Sequence, residues 1–481
     1  MKSITEGAGS PGIQLMLKNT RAAVLDLTHG GAVIARKLKN IAVSVTGVDV
    51  YRTLCSDELQ ALEDEGIRTQ APLNARDFDI LIAPIHLDPG YPMLAEAEKN
   101  NIPVVSHHAA VGEILSGRHQ DKIIIEITGT RAKTSTAVLL AEMLSGEKKV
   151  VSHTSRGVED WSARRIIKKG LRGVEDWSAR RIIKKGLSIT PASILLVLEA
   201  VEEEGIKPDV IIFEVSLGGT GSADIGVITT IADDYKIANN TGLASDAKRS
   251  MILDAKPGSA IVINHDALRF FRACRRDVNI ISFSDSINAA ANVYFENLSS
   301  EGGTIAYYIN DRQGRIAVGA SSEYDLSSYR TAFVCASAVA LAMDIEPVAV
   351  ERSLREFKGA QGRMRKISIE GRTLIDNSNS GLNIKKALEY AKSESGRIVM
   401  VLGEEAKEVC EGLDPAGVER FIDRHLDELH DLVLVGERMK PLTGKDINKI
   451  YHAGNLSEGI ELAEQLTREK DIIVSCVKCF R

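Results

Sequence analysis

Three features of the sequence predict an α/β chain of three domains: a Rossmann-like N-terminal domain, a central P-loop ATPase domain and a C-terminal α/β domain. Short runs rich in Val, Ile and Leu alternate with helical stretches, the pattern of buried parallel strands joined by helices. One such run, Lys122-Ile-Ile-Ile-Glu-Ile-Thr128, leads into the loop Gly129-Thr-Arg-Ala-Lys-Thr134. The length of 481 residues, 44% of them hydrophobic, suffices for about three globular cores.

Residues 1–20 are Gly/Ser/Lys-rich without a clear period and read as a tail. The first domain is expected over 21–117. Ala22–Leu27 reads as a strand, Thr28–Gly31 as a turn, Ala32–Leu38 as a helix and Val43–Asp49 as a second strand ending in an acid. Strands at Asp79–Ala83 and Pro103–Ser106 alternate with a helix at Met93–Lys99, which completes a small Rossmann-like unit. The Gly30-Gly31 pair fits a nucleotide turn and equally a tight βα turn that needs small residues. His86, in the loop after the third strand, and His107 and His108, after the fourth, fall at the carboxyl edge where doubly wound sheets bind ligands. They are candidates for substrate contact, and capping or packing would explain them as well.

The central domain is expected over 118–360. Its loop can cradle phosphate on the backbone N–H groups of Gly129, Thr130, Arg131, Ala132 and Lys133, with Ser135 alongside. Lys133 would reach the terminal phosphates and the Thr134 hydroxyl suits Mg²⁺, so ATP and Mg are the expected cofactors. The spacing departs from the general P-loop, with Glu126 and Ala132 standing where glycines are usual. The amphipathic helix is expected over Ala137–Leu144. Pro208–Phe213 then reads as a strand ending in Glu214, the position at which an acid beside a P-loop holds Mg²⁺; Gly226–Ile231 and Ala260–Asn264 are further parallel-type strands. From Gln361 to the end at 481 the alternation resumes, with strands at Ile398–Leu402, Asp431–Val435 and Asp471–Val474, as a separate α/β domain.

Within the central domain, residues 156–171 recur without one change at 172–187. Solenoid repeats diverge and come in larger numbers, so this reads as a recent tandem duplication, or an error in the sequence, and not as a repeat architecture. If 16 extra residues continued one helix, everything beyond would shift by roughly 24 Å and rotate by about 160°, so one copy should loop out. Each copy suits an amphipathic surface helix with a solvated basic face, or a basic wall for a polycarboxylate substrate. Trp161 and Trp177, the only tryptophans, compete for one native position.

The formal charge of −6 gives no reason to expect nucleic acid or an anionic membrane as partner. Six cysteines in so long a chain make no disulfide framework, the start is not that of a signal peptide, and no apolar run approaches the roughly 20 residues of a membrane span. A reduced cytoplasmic setting is expected. Cys476 and Cys479 lack a second pair or a nearby histidine for zinc.

These motifs together resemble the Mur ligases, ATP-dependent ligases that include the cell-wall muramyl peptide synthetases. Gly129–Thr134 is similar to their Gly-Thr-Asn-Gly-Lys-Thr loop, Phe213-Glu-Val-Ser216 to their strand-end Glu, and Ile263-Asn-His-Asp266 to their Val-Asn-x-Asp strand. Phe357–Arg363 with Leu374-Ile-Asp376 resembles the linker that opens their C-terminal domain. The match runs from Arg21 onward in the same order. Two departures point away from the peptide ligases: Asp233-Asp-Tyr-Lys236 replaces Asp-His-Leu-Asp, and Asp376-Asn-Ser-Asn-Ser380 lacks His-x-Pro. The whole pattern, with Leu25–Gly31 at the front and Ser475–Arg481 at the end, is most similar to an archaeal Mur-like branch whose substrate is a nickel tetrapyrrole.

The resemblance implies that the γ-phosphoryl of ATP activates a carboxylate as an acyl phosphate, which a nucleophile then attacks. Lys133 would contact the β/γ phosphates, Thr134 and Glu214 the Mg²⁺, with Asp234 assisting through water; Asn264 belongs to the nucleotide side. Lys248 lies where several Mur ligases carry a carbamylated lysine, although an exposed lysine is the simpler reading. Arg363 would approach the γ-phosphate and Asp376 the nucleotide, so that domain closure assembles the site. In the tetrapyrrole branch a propionate side chain is activated and a carbon of the same substrate closes a ring. An amide-forming ligase acting on a nucleotide-linked or folate-like acid is the alternative, and a nucleotide-binding protein without turnover is another.

Overall fold

The computed structural model describes residues 16–69, 74–116, 119, 121–162, 180–268, 275–379, 381–405, 412–446 and 448–479. The chain divides into two compact units. One holds the residues up to Lys133 together with Leu144–Ser282, the other Thr134–Met143 with Phe283 onward.

In the first unit, strands β1 (Arg21–Leu25), β2 (Ser44–Val48), β3 (Ile80–Ala83) and β4 (Val104–Ser106) form a parallel sheet in the order β2-β1-β3-β4. Beyond the exposed Arg21, the two inner strands β1 and β3 are buried throughout, which is why they read as continuous apolar runs and do not alternate. Helices α1 (Ala32–Leu38), α2 (Ser56–Asp64), α3 (Pro92–Asn100) and α4 (His107–Leu115) connect and cover them. The expected turn at Thr28–Gly31 is a wide helical turn over Leu27–Gly31. Both of its glycines are required by packing. A Cβ on Gly30 would stand 2.6 Å from Ala192 Cβ, and one on Gly31 would stand 2.3 Å from Asp26 O, so the pair is accounted for without a nucleotide.

The same unit contains the sheet that carries the phosphate-type loop. Strands β5 (Ile123–Thr128), β6 (Val150–Thr154), β9 (Val210–Glu214), β10 (Ile225–Ile228) and β13 (Ala260–Asn264) run parallel in the order β13-β10-β5-β9-β6. A core of Val24, Ile34, Val111, Ile124, Val151, Val197 and Phe213 is shared between this sheet and the N-terminal one. Helix α5 spans Lys133–Ser145, starting four residues before the expected Ala137. A short ribbon of β11 (Lys236–Ile237) and β12 (Gly242–Leu243) leads into the helix Ala244–Lys248.

The duplication takes a form the sequence did not suggest. Strand β7 (Gly157–Asp160) comes from the first copy and β8 (Arg181–Lys184) from the second. They pair antiparallel, with Asp160 opposite Arg181 and Glu159 opposite Ile182, and β7 pairs in turn with β6. The described parts of both copies are therefore strand, and the surface-helix reading is overturned for them. An Arg-Ile-Ile-Lys run has the β-branched content of an edge strand, and its charges blunt that edge. Glu159 pairs with Arg156 at 3.4 Å and Arg180 at 3.2 Å, which neutralises part of the basic wall. Trp161 is buried and donates from Nε1 to Ser152 Oγ at 2.9 Å. Because each copy supplies a strand, neither loops out whole, and residues 163–179, Trp177 among them, lie outside the described residues.

The second unit begins within strand β14 (Asn279–Ser284), whose last two residues pair with β15 (Val293–Ser299); β15, β16 (Gly302–Ile309) and β17 (Arg312–Gly319) follow as an antiparallel meander. Its other sheet has the order β18-β19-β23-β20-β21-β22, formed by Arg365–Ile369, Arg372–Asp376, Ile472–Lys478, Ile398–Glu404, Asp431–Val435 and Ile450–Ala453. All its pairs are parallel except β18 with β19. Cys476 and Cys479 are buried at and just beyond β23, and burial pushes the Cys476 thiol up to about 12. No helix among the described residues is long and apolar enough to cross a membrane.

Candidate functional site

Strand β5 delivers the chain to Gly129, where φ is +147° and a Cβ would stand 2.0 Å from Thr229 Oγ1; only glycine fits. The loop beyond is pinned along its outer edge. Thr130 N and Oγ1 donate to Thr230 O at 2.8 and 3.1 Å, Thr130 Oγ1 also reaches Ala232 O at 2.6 Å, and Thr229 Oγ1 donates to Arg131 O at 2.6 Å. Asn264, buried at the end of β13, donates to Thr229 O at 3.2 Å and so supports the residue that holds the loop. Arg131 pairs with Asp233 at 2.6 Å on the surface.

Ala132 is the N-cap of α5 with φ 62° and ψ 2°, and no side chain caps the helix. A left-handed alanine costs roughly 1–2 kcal/mol, which explains why glycine is usual there and shows that this loop takes the conformation without it. An uncapped helix start preceded by a tight loop presents backbone N–H groups and the positive end of the helix dipole, the recipe for anion binding. Glu126 lies within β5, fully buried, so its position belongs to the strand and not to the cradle. Its carboxylate accepts from Thr220 N at 2.7 Å, from Thr220 Oγ1 and from Ser222 Oγ at 3.1 Å. Burial raises its pKa, against those hydrogen bonds.

Lys133 folds back along the loop, with Nζ 3.2 Å from Gly129 O and 4.0 Å from Glu214 Oε1. Glu214 ends β9 beside β5, is 3% exposed, and accepts from Ser155 N at 3.2 Å. A buried carboxylate beside one ammonium at the mouth of an anion cradle is a hard oxygen donor suited to Mg²⁺. The sequence did not point to Ser155; its place is set by the β6–β7 turn.

Lys248 is fully buried at the end of the Ala244–Lys248 helix, and the reading of it as exposed is overturned. Its Nζ donates to Ala244 O at 3.3 Å and sits 5.1 Å above the Tyr235 ring. Burial, then the nearby Lys133 charge, lower its pKa to about 8, against the pull of Asp234. Asp234 is exposed, and its Oδ1 accepts from Tyr235 N at 3.0 Å and Ser245 N at 2.9 Å, which fixes the ribbon carrying Tyr235.

In the second unit, Arg363 Nη2 donates to Thr134 Oγ1 at 2.9 Å, with Thr134 and Ser135 both buried. The linker carrying Arg363 is held at two points. Tyr329 OH, inside a cluster of Tyr324, Phe333 and Phe357, donates to Arg363 O and accepts from Ala360 N at 2.8 Å. Asp376, at the end of β19, accepts from Gly362 N at 2.9 Å and from Ser475 Oγ at 3.2 Å. Gly362 has φ +73°, and a Cβ there would stand 2.2 Å from Ser378 O. Asp376 is thus tied to the linker, a link not visible in the sequence.

The three histidines separate. His107 and His108 are buried, with Nε2 on Leu25 O at 2.9 Å and Ser216 O at 2.7 Å, and burial lowers both to about 4. They stay neutral and pack. His86 is one-third exposed and lies 3.5 Å from Asp26 Oδ2.

Comparison with known proteins agrees with this architecture. Residues 366–479 match the family model described as the C-terminal domain of coenzyme F430 synthetase CfbE. A coenzyme F(430) synthetase of Methanosarcina acetivorans is 44% identical over 96% of this chain and 99% of its own length; one from Methanocaldococcus jannaschii is 26% identical over 48% of this chain and 50% of its own. Among solved structures, MurF from Acinetobacter baumannii superposes with a TM-score of 0.54 at 15% identity, over 85% of this chain and 90% of its own. MurF from Thermotoga maritima, solved in complex with ADP, gives 0.50 at 12% identity over 97% and 96%. The structures establish the Mur ligase fold. With a full-length relative at 44% identity, the chain belongs to the coenzyme F(430) synthetase family of Mur-type ligases.

Proposed function

We infer that this protein is an ATP-dependent ligase that activates a propionate of a nickel tetrapyrrole seco-acid and closes its carbocyclic ring, releasing ADP and phosphate. The observation that carries the ATP step is the pinned loop from Gly129 to Ala132, with Lys133 turned along it toward the buried Glu214. The name and the full-length similarity of the Methanosarcina relative carry the substrate.

The reaction needs one carboxylate oxygen to attack the γ-phosphorus as ADP leaves, and then a substrate carbon, giving up a proton, to attack the acyl carbon as phosphate leaves with that proton. Both steps gain chiefly from alignment and from neutralising phosphoryl charge. The N–H groups of the loop and Lys133 supply that positive field. Mg²⁺, for which the Thr134 hydroxyl and Glu214 offer oxygen donors and Asp234 a contact through water, would add charge neutralisation when bound. Arg363 supplies a guanidinium for the transferring phosphoryl; Asp376 and Tyr329, by holding its linker, make that side chain a positioned group. Lys248, buried and with a lowered pKa, is suited to carbamylation, since carbamate forms from the neutral amine.

The test is ADP release with Mg-ATP and the open-ring nickel seco-acid, alongside the tetrapyrrole absorbance spectrum. ADP formed in step with a spectral change, without added amine, is expected, and Lys133→Ala should abolish both. Turnover that begins only when an amine is supplied with some other acid would replace this reading with an amide ligase.

A further inference from the structure

We propose that Asp26, His29 and His86 form a binding site for a divalent first-row transition-metal ion in the N-terminal sheet, separate from the oxygen-lined Mg²⁺ position at the phosphate loop. Asp26 follows β1 directly, His29 lies in the turn after it, and His86 lies in the loop after β3. The order β2-β1-β3-β4 sends the chain one way from β1 and the other way from β3. These two strands therefore flank the topological switch point, the crevice at which open α/β sheets take their ligands.

Three potential ligand atoms converge there. His29 Nδ1 is 2.7 Å from Asp26 Oδ2, His86 Nε2 is 3.5 Å from the same oxygen, and all three lie within 4.8 Å of one another. An ion bonded at about 2.0–2.2 Å to each of three such donors in a tetrahedral array holds neighbouring donors about 3.3–3.6 Å apart; His86 already stands at that spacing from Asp26, while His29 must ease back from its 2.7 Å contact to admit an ion. The two imidazoles stand edge to face, with centroids 5.3 Å apart at 88°; neither ring stacks on the other, and each turns a nitrogen to the common carboxylate.

The surroundings favour a site over a simple turn. Asp26 is fully buried while His29 and His86 are 27% and 32% exposed, so an ion would rest on a buried anion with its remaining positions facing outward. A turn cap needs only the Asp26 contact with His29 N, at 3.2 Å; it does not need His86, brought in from another strand. Two imidazoles and one carboxylate select borderline ions such as Zn²⁺, Co²⁺ or Ni²⁺ over Mg²⁺. The open positions suit an oxygen donor such as a carboxylate.

The experiment uses the untagged full-length protein without nucleotide or tetrapyrrole, so its outcome does not depend on the ligase reading. Titration with Co²⁺, followed by its visible absorption, should show one equivalent bound and displaced by Zn²⁺, while excess Mg²⁺ has no effect. His29→Gln and His86→Gln should each weaken binding at least tenfold, with unchanged far-ultraviolet circular dichroism; Asp26→Asn, which keeps the turn's acceptor, should do the same. Lys133→Ala and the Cys476→Ser/Cys479→Ser pair should bind as the parent does. No Co²⁺ spectrum, or one that survives the His29→Gln/His86→Gln double substitution, would overturn the proposal and leave Asp26 as a turn cap.

Discussion

Removing residues 172–187 should leave the β7–β8 hairpin intact and make the protein more stable. In the full chain, 20 residues, 161–180, separate the two strands. Because the copies are identical, the deletion keeps Gly157–Asp160 and lets Arg165-Ile166-Ile167-Lys168 take the place of Arg181–Lys184. The connection becomes Trp161-Ser162-Ala163-Arg164, four residues, a length common in β-hairpins. Shortening the closed connection from 20 to four lowers the closure entropy by about 1.4 kcal/mol in the flexible-chain limit. Urea unfolding followed by Trp161 fluorescence, with Trp177→Phe in the full chain as reference, should show the midpoint rising by roughly half a molar for an m near 3 kcal/mol/M. Nucleotide affinity and turnover should not change. A lower midpoint, or red-shifted Trp161 emission in the folded deletion variant, would refute the reasoning that Arg165–Lys168 can stand in for Arg181–Lys184 and that the longer connection costs stability.

Other predictions follow from two buried ionisable groups. Lys248 has its pKa lowered to about 8 by burial, so its contribution to stability is complete above the unfolded value near 10.5 and is lost as pH falls through 8. Lys248→Met should therefore melt higher than the parent at pH 7, with the gain vanishing in strong base. In bicarbonate-containing buffer, ADP release should rise between about pH 7 and 9 as the neutral amine accumulates, and Lys248→Arg should lose that dependence. Glu126 has a raised pKa, so its contribution is fully present below its unfolded value and lost as pH rises through the folded one. Glu126→Gln should melt at or above the parent at pH 8 and lose that advantage toward pH 4. Glu126→Ala, which leaves the buried Thr220 N–H without this acceptor, should cost about 1–3 kcal/mol, read as a lower thermal midpoint.

The strands Ala260–Asn264 and Asp431–Val435 lie where the apolar runs place them, because a strand buried on both faces writes itself as an unbroken hydrophobic string. The start of α5 was less legible. Lys133-Thr-Ser-Thr136 has no apolar stripe, and that turn is helical because of the loop before it and not its own propensity. The burial of Lys248 could not be read from its neighbours in sequence, since the ring its Nζ faces, that of Tyr235, comes from before the β11–β12 ribbon. Asp26, His29 and His86 were scattered for the same reason: parallel pairing of β1 with β3 brings together positions 60 residues apart. The helical reading of the duplicated segment failed because its basic residues suggested a solvated helix face, whereas paired isoleucines between charges serve an edge strand as well.

Two identical copies serving one hairpin also make this part of the molecule redundant. The sequence of the strand pair is present within the first copy, within the second, and across one of each, with 16 residues surplus in every case. A lesion in one copy therefore has a ready substitute. Trp161→Ala should be nearly silent, because Trp177 can enter the same socket against Ser152. Only loss of both tryptophans should open the cavity, at about 3–5 kcal/mol. The hairpin should tolerate damage to either copy that a hairpin encoded once would register in full.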